Sequence, residues 1–200
     1  MKTSIKVGTL LLVLFGAACG GGDRELTGYH RDPAPNVGGL SLPDLSNDGQ
    51  PLALRAEPGH LLVVYFGYTN CPDFCPTTMS DLRIARRRLD QPDRVDVAMV
   101  SVDPDRDIPV LADYIGSFFD DGHALATDDP SLLAKVAAPF GVSSQVTTNE
   151  DGEIEVAHTT QLYAIDDAGV LVLTWPFGIT ADDLAADLEQ LIGGTPLLVD

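Results

Sequence analysis

Positive charge is scarce in this chain. Twelve Lys and Arg stand against 30 Asp and Glu, a formal charge of −18 over 200 residues. A surface of that sign repels nucleic acid, whose phosphates need cationic contacts, so no nucleic-acid partner is expected. Aromatic residues are also few, at 6%, while hydrophobic residues make up 44%. That balance suits one globular domain with a real core and excludes a disordered chain or a multi-span membrane protein. No glycine-rich loop is present to cradle a phosphate, and no Ser–His–Asp nucleophile elbow. Repeats and low-complexity tracts are lacking too. Two widespread enzyme chemistries are thereby set aside.

The N-terminal apolar run, from Val7 to Ala18, is too short for a comfortable membrane span. Lys2 and Lys6 precede it, and the small residues Gly16, Ala17 and Ala18 lead into Cys19. Residues 1–18 read as a signal peptide. The small residues before Cys19 resemble a bacterial lipoprotein cleavage box, in which the Cys becomes the lipidated first residue. The expected location is extracytoplasmic, as a cell-membrane lipoprotein held through lipid on Cys19. Losing Lys2 and Lys6 leaves 10 cations against 30 anions, or −20. It also reduces three cysteines to a pair, Cys71 and Cys75. Outside the cytoplasm such a pair is a disulfide, a redox couple or a soft metal site.

Residues 19–36, rich in Gly, Asp and Pro, read as a flexible tether. Residues 37–57 fit a small hairpin around SNDGQ. LLVVYF (61–66) and VDVAMVSV (95–102) are continuous apolar runs, the mark of strands buried on both faces. Helical spacing follows the first from Pro76 onward, through Met79, Leu82, Ile84, Ala85 and Leu89, ending near Gln91. Further helices are predicted over 108–119, 130–140 and 181–192. QLYAID and VLVLTWPF read as a late hairpin. The order implies an α/β fold, one central sheet flanked by helices, over 37–195. The tail TPLLVD is peripheral. Met79, Met99, Trp175 and Phe177 read as packing residues.

The chemistry gathers in YFGYTNCPDFCPTTM. Cys71 follows the first buried strand and Cys75 precedes a helix. A helix N-terminus favours negative charge and lowers a thiol pKa. Thiolates are what a soft ion such as Cu(I) needs. Three residues separate the sulfurs, against two in a thioredoxin redox motif. Pro72 and Pro76 restrict the loop on either side. A two-sulfur site often recruits a third ligand. His158, in EVAHTTQLYAID, lies just before a strand where a loop could reach the same sheet edge. His123 is its rival, and His30 and His60 lie elsewhere. Asp103, Asp105 and Asp107 follow the second strand. They read as loop-capping groups or as groups that orient the site or serve docking.

The segments VVYFGYTNCPDFCPTTMSDL, MVSVDPDRDIP and AHTTQLYAIDDAG, in that order, make the chain resemble the SCO/SenC family of copper-binding assembly proteins for cytochrome c oxidase. The resemblance implies a thioredoxin-like fold on the outer side of the membrane. It implies copper, Cu(I) or Cu(II), held by Cys71, Cys75 and His158, with Asp103 and Asp107 beside the site. The implied role is that of a monomeric metallochaperone for the binuclear copper centre of oxidase subunit II, supplied by a periplasmic copper donor. Some members are thought to act as thiol–disulfide oxidoreductases on that subunit or in redox defence and signalling. On that reading Cys71 and Cys75 would be the exchanging pair. Thr159 stands where Ser is common and Asn70 where His is often seen; neither change removes an implied ligand.

Overall fold

The computed structural model describes residues 24–193. Its centre is a seven-stranded mixed sheet in the order β2-β1-β5-β4-β3-β8-β9. The strands are β1 (Ser41–Asp44), β2 (Gln50–Ala53), β3 (Leu61–Gly67), β4 (Val95–Ser101), β5 (His123–Leu125), β8 (Leu162–Ile165) and β9 (Leu171–Trp175). Strands β3, β4 and β5 are parallel, and the hairpins β1–β2 and β8–β9 flank them antiparallel. This is the expected thioredoxin-like architecture with an N-terminal hairpin.

The run LLVVYF is apolar throughout because β3 is central and both its faces are covered. Leu61, Val63 and Tyr65 point into one core, with residues of α1 (Phe74–Arg88), α3 (Leu111–Gly116) and α5 (Ala181–Ile192). Leu62, Val64 and Phe66 point into the other, with Val136 of α4 (Pro130–Ala137) and Phe140. Met79, Met99 and Trp175 are buried as expected, but Ile84 and Phe177 are exposed.

Several boundaries differ from expectation. Helix α1 starts at Phe74, so Cys75 lies inside its first turn. The helix expected over 108–119 is present only as the shorter α3, and an unexpected single turn, α2 (Pro104–Asp107), precedes it. Pro109 between them has no N–H to continue a helix. Pro139 likewise stands just past the end of α4, inside a 3-10 turn that runs from Ala138 to Phe140. A separate two-stranded ribbon, β6 (Ser144–Thr148) and β7 (Ile154–His158), stands outside the sheet.

The signal peptide, Cys19 and the tail TPLLVD lie outside the described residues. The described part of the expected tether, 24–36, is not loose. Tyr29 pairs with Thr174, and Asn36 with Val170. Thr27 and Gly28 donate backbone N–H groups to the buried Asp187 carboxylate at 2.9–3.1 Å. Trp175 Nε1 donates to the same carboxylate at 2.8 Å, and Arg24 pairs with it. Gly28 is required there, because a Cβ would stand 2.6 Å from Leu173. Composition suggested a linker, but specific backbone hydrogen bonds and one buried acid make it a strap.

Candidate metal centre

The site grows out of the end of β3. Gly67 closes that strand, and a Cβ there would lie 2.5 Å from the Tyr65 ring and 3.1 Å from Cys75 Sγ. Only glycine lets the sulfur sit that close to the backbone. The chain then turns through Tyr68, Thr69 and Asn70 to Cys71. Asp107 fixes this turn from below and is fully buried. Its carboxylate accepts from Thr69 N–H at 3.0 Å, Thr69 Oγ1 at 2.6 Å and Ser101 Oγ at 2.6 Å. The end of β4 and the cysteine loop are thus tied to one acid. Asp103 is also buried, and burial raises its carboxyl pKa despite its pairing with Arg106. Neither Asp103 nor Asp107 joins the ligand cluster described next. Asp107 does not cap a helix at Ile108; it closes the turn α2 and serves the loop. Asp105 is exposed.

Helix α1 has no side-chain cap at Asp73. Cys71 Sγ takes that place and accepts the Cys75 N–H at 3.3 Å. A sulfur that satisfies an orphan helix N–H is stabilised as thiolate. Burial opposes the charge on Cys71, but the N–H groups of Cys75 and Asp73, the Cys75 side chain and the Tyr68 hydroxyl outweigh it. The net effect lowers the Cys71 pKa. Burial dominates at Cys75 and pushes its thiol up to about 12, even though the Tyr65 hydroxyl donates to the sulfur at 3.5 Å. Both cysteines are free thiols. One is ready to carry charge, and the other holds its proton until a cation displaces it.

His158 ends β7, within a strand and not in the expected loop before one. Its Nδ1 lies 2.9 Å from Thr159 O, an acceptor only, so Nδ1 carries the hydrogen. That leaves the Nε2 lone pair facing Cys75 Sγ at 3.7 Å. Burial lowers the His158 pKa and so favours the neutral imidazole. Ligand atoms of Cys71, Cys75 and His158 all lie within 4.8 Å of one another. Two sulfurs and one imidazole converging without a carboxylate suit a soft cation. The far side of His158 opens onto a depression with Ser143, Gln145, Ala157 and Thr159.

The other histidines lie apart. His123 is a strand residue of β5 whose Nδ1 is 2.7 Å from Asp44. His60 faces Asp96 at the opposite end of the sheet, and His30 Nδ1 contacts Val172 O. Sequence reasoning missed a collar of tyrosines. The rings of Tyr65 and Tyr68 stand edge-on to His158, with centroids 6.1 and 5.6 Å away. The Tyr114 hydroxyl is buried with no partner, and burial together with the nearby cysteines raises its pKa. Tyr65 and Tyr68 stood inside the quoted motif. Tyr114 carried no local signal, because α3 brings it in from 39 residues beyond Cys75.

Comparison with known proteins places this geometry in context. The SCO1/SenC family model matches residues 44–193. A SCO2-like protein of Rickettsia prowazekii is 31% identical over 63% of this chain and 63% of its own length. The mitochondrial SCO1 homolog 1 of Arabidopsis thaliana is 30% identical over 60% of this chain and 36% of its own length. The matched part thus spans less than two thirds of these curated relatives. Among solved structures, copper-bound ScoI of Bradyrhizobium japonicum superposes with a TM-score of 0.65 at 30% identity, covering 77% of this chain and 98% of that one. Apo Sco1 of Thermus thermophilus gives a TM-score of 0.70 at 30% identity, covering 84% and 97%.

Proposed function

The chain belongs to the SCO1/SenC family, and from that premise we propose that it is a membrane-tethered, extracytoplasmic copper chaperone for the binuclear centre of cytochrome c oxidase subunit II. The observation that carries this reading is the convergence of Cys71, Cys75 and His158. Copper is cargo here. Its ligands would be the Cys71 thiolate, the Cys75 sulfur after loss of its proton, and His158 Nε2. Cu(I) is satisfied by these three, whereas Cu(II) calls for a further ligand such as water. Copper-bound relatives of the same fold support the choice of metal. Lipid on Cys19, with residues 1–18 removed, would hold the domain near a membrane oxidase. Among the described residues no helix is long and apolar enough to cross a membrane.

A second reading rests on the asymmetry of the thiols. Cys71 is buried but retains 7% exposure and has a lowered pKa, whereas Cys75 is fully closed to solvent with a raised one. That is the arrangement of an attacking and a resolving cysteine. Loss of two electrons and two protons to a target disulfide would leave a Cys71–Cys75 disulfide and abolish the copper site. The test is to restore oxidase assembly in cells lacking this chain. Delivery predicts that His158→Ala fails as completely as Cys71→Ala. A reductase needs no imidazole ligand, so full rescue by His158→Ala would overturn the delivery reading.

A further inference from the structure

Eight large apolar side chains are exposed among the described residues, and six of them lie on or against the segments that build the metal centre, while Ile84 stands farther along α1 and Tyr29 on the strap. Phe74 sits between the two cysteines, and its ring meets Phe177 edge to face at 4.9 Å. Ile108 and Val110 follow Asp107, whose carboxylate holds Thr69. Val146 and Ile154 lie on the ribbon that ends in His158. Side-chain alternation puts Ile154, Val156 and His158 on one face of β7, and Val146, paired with Val156, shares that face. The ribbon therefore presents an apolar face on the side of its metal-facing histidine. Exposed apolar residues grouped in this way mark an interaction surface, where scattered single ones would not.

The charge around them is mainly negative, and Arg106, two residues before Ile108, is paired with Asp103. Asp73 adjoins Phe74, and Glu150, Asp151, Glu153 and Glu155 occupy the ribbon and its turn. Among the described residues none of these five meets a cationic side chain within 4 Å. Residues 136–200 contain no Lys or Arg at all. Arg83, Arg86, Arg87 and Arg88 stand instead on the second half of α1. At 1.5 Å per residue, Arg88 is about 20 Å along the helix from Cys75. The molecule is polarised, with its metal end acidic.

We propose that Phe74, Phe177, Ile108, Val110, Val146 and Ile154 form the docking surface for the protein that receives the metal, and that the matching face of this protein is an apolar patch bordered by Lys and Arg. The inference rests on the delivery reading and adds where and by what chemistry the acceptor is held. A second copy of this chain is a poor occupant, because two such faces would bring like charges together. Docking here brings acceptor ligands to Cys71 and to the open side of His158. Cu(I) then moves with its charge unchanged. Its bonds to Cys71, Cys75 and His158 are replaced one at a time by bonds to the acceptor, and the buried Cys75 sulfur recovers a proton from solvent.

The test uses the full-length chain, with the soluble copper domain of oxidase subunit II as probe. Three quantities are read: Cu(I) affinity by ligand competition, binding of the metal-free chain to the probe, and the rate of copper transfer. In Phe177→Ser combined with Ile154→Ser, Cu(I) affinity stays within about threefold while probe binding and transfer each weaken about tenfold or more. Val110→Ser, on a different element, gives a second and smaller loss. Salt weakens the wild-type complex by about tenfold between low and high ionic strength. Variants that bind the probe as the wild type does, or a complex indifferent to salt, overturn the surface. So does a dimer in solution that these variants disperse. A wild-type chain that binds copper but neither binds the probe nor yields copper to it overturns the delivery reading as well.

Discussion

Asp107 and Asp187 are both closed to solvent, and each carboxylate gathers donors from two other parts of the chain. Asp187, on α5, takes N–H groups from Thr27 and Gly28 of the strap and from Trp175 of β9. Asp107, on α2, takes Thr69 from the cysteine loop and Ser101 from β4. Near each stands a glycine with no room for a side chain, Gly28 against Leu173 and Gly67 against Tyr65 and Cys75. The likeness ends there. Around Asp187 the donors meet an acceptor and Trp175 is fully packed. Around Asp107 the structure stops short. The Tyr114 hydroxyl and Arg106 Nη2 are buried without partners, and Cys75 is held away from its charged form. One region has its central acid fully served by the chain alone, although Thr174 Oγ1 of β9 is also buried there without a partner. The other is arranged around something the chain does not supply, which is how local rules come to be broken at working sites.

Breaking the region around Asp187 should cost the most stability. Asp187→Ala strands the buried Trp175 N–H and frees the strap, a loss of about 3–5 kcal/mol. Denaturant unfolding reads this loss, and Cu(I) affinity of the folded fraction should stay within about threefold. Asp107→Asn keeps the volume but turns an acceptor toward a donor, costing about 2–3 kcal/mol. Because Asp107 holds the cysteine loop, copper affinity should fall too, by about 10–100-fold. If copper binding proves indifferent to Asp107→Asn, the contrast between the two acids collapses.

The smallest effect is one of pH. Burial lifts the Cys75 pKa from 9.0 to about 12. The folded metal-free chain therefore holds this proton more tightly than the unfolded chain does. The corresponding stability is fully present below pH 9 and is lost as the pH rises toward 12. Cys71 acts in the opposite sense: its lowered pKa gives stability at high pH that is lost as pH falls. Thermal unfolding of the metal-free protein across the alkaline range should show a downward slope that Cys75→Ser flattens.

Much of this was legible in the chain. The runs at 61–66 and 95–102 announced central strands because a strand buried on both faces has no polar side to show. The cysteine pair and His158 stood in recognisable segments. The ribbon was not legible, since SQVTTNEDGEIEVAH has nearly all its side chains in solvent and so carries little hydrophobic pattern. His158 was therefore expected in a loop. The strap was illegible for a different reason. Its attachment depends on Asp187, which sits in an amphipathic helix and looks like any solvated acid until β9 and the strap close over it. Tyr114 and Phe177 reach the metal end only through the tertiary fold, and no local spacing could have assigned them.

The most direct test of the account is an anaerobic Cu(I) titration of the reduced protein against a competing chromophoric ligand. Wild type is compared with Cys71→Ala, Cys75→Ala and His158→Ala. The geometry predicts one tightly held Cu(I) per chain. Each of the three substitutions should weaken it by more than the roughly 100-fold that can follow loss of a supporting hydrogen bond. Binding of wild-type strength in His158→Ala would contradict a three-ligand centre and leave Cys71 and Cys75 as a thiol pair alone.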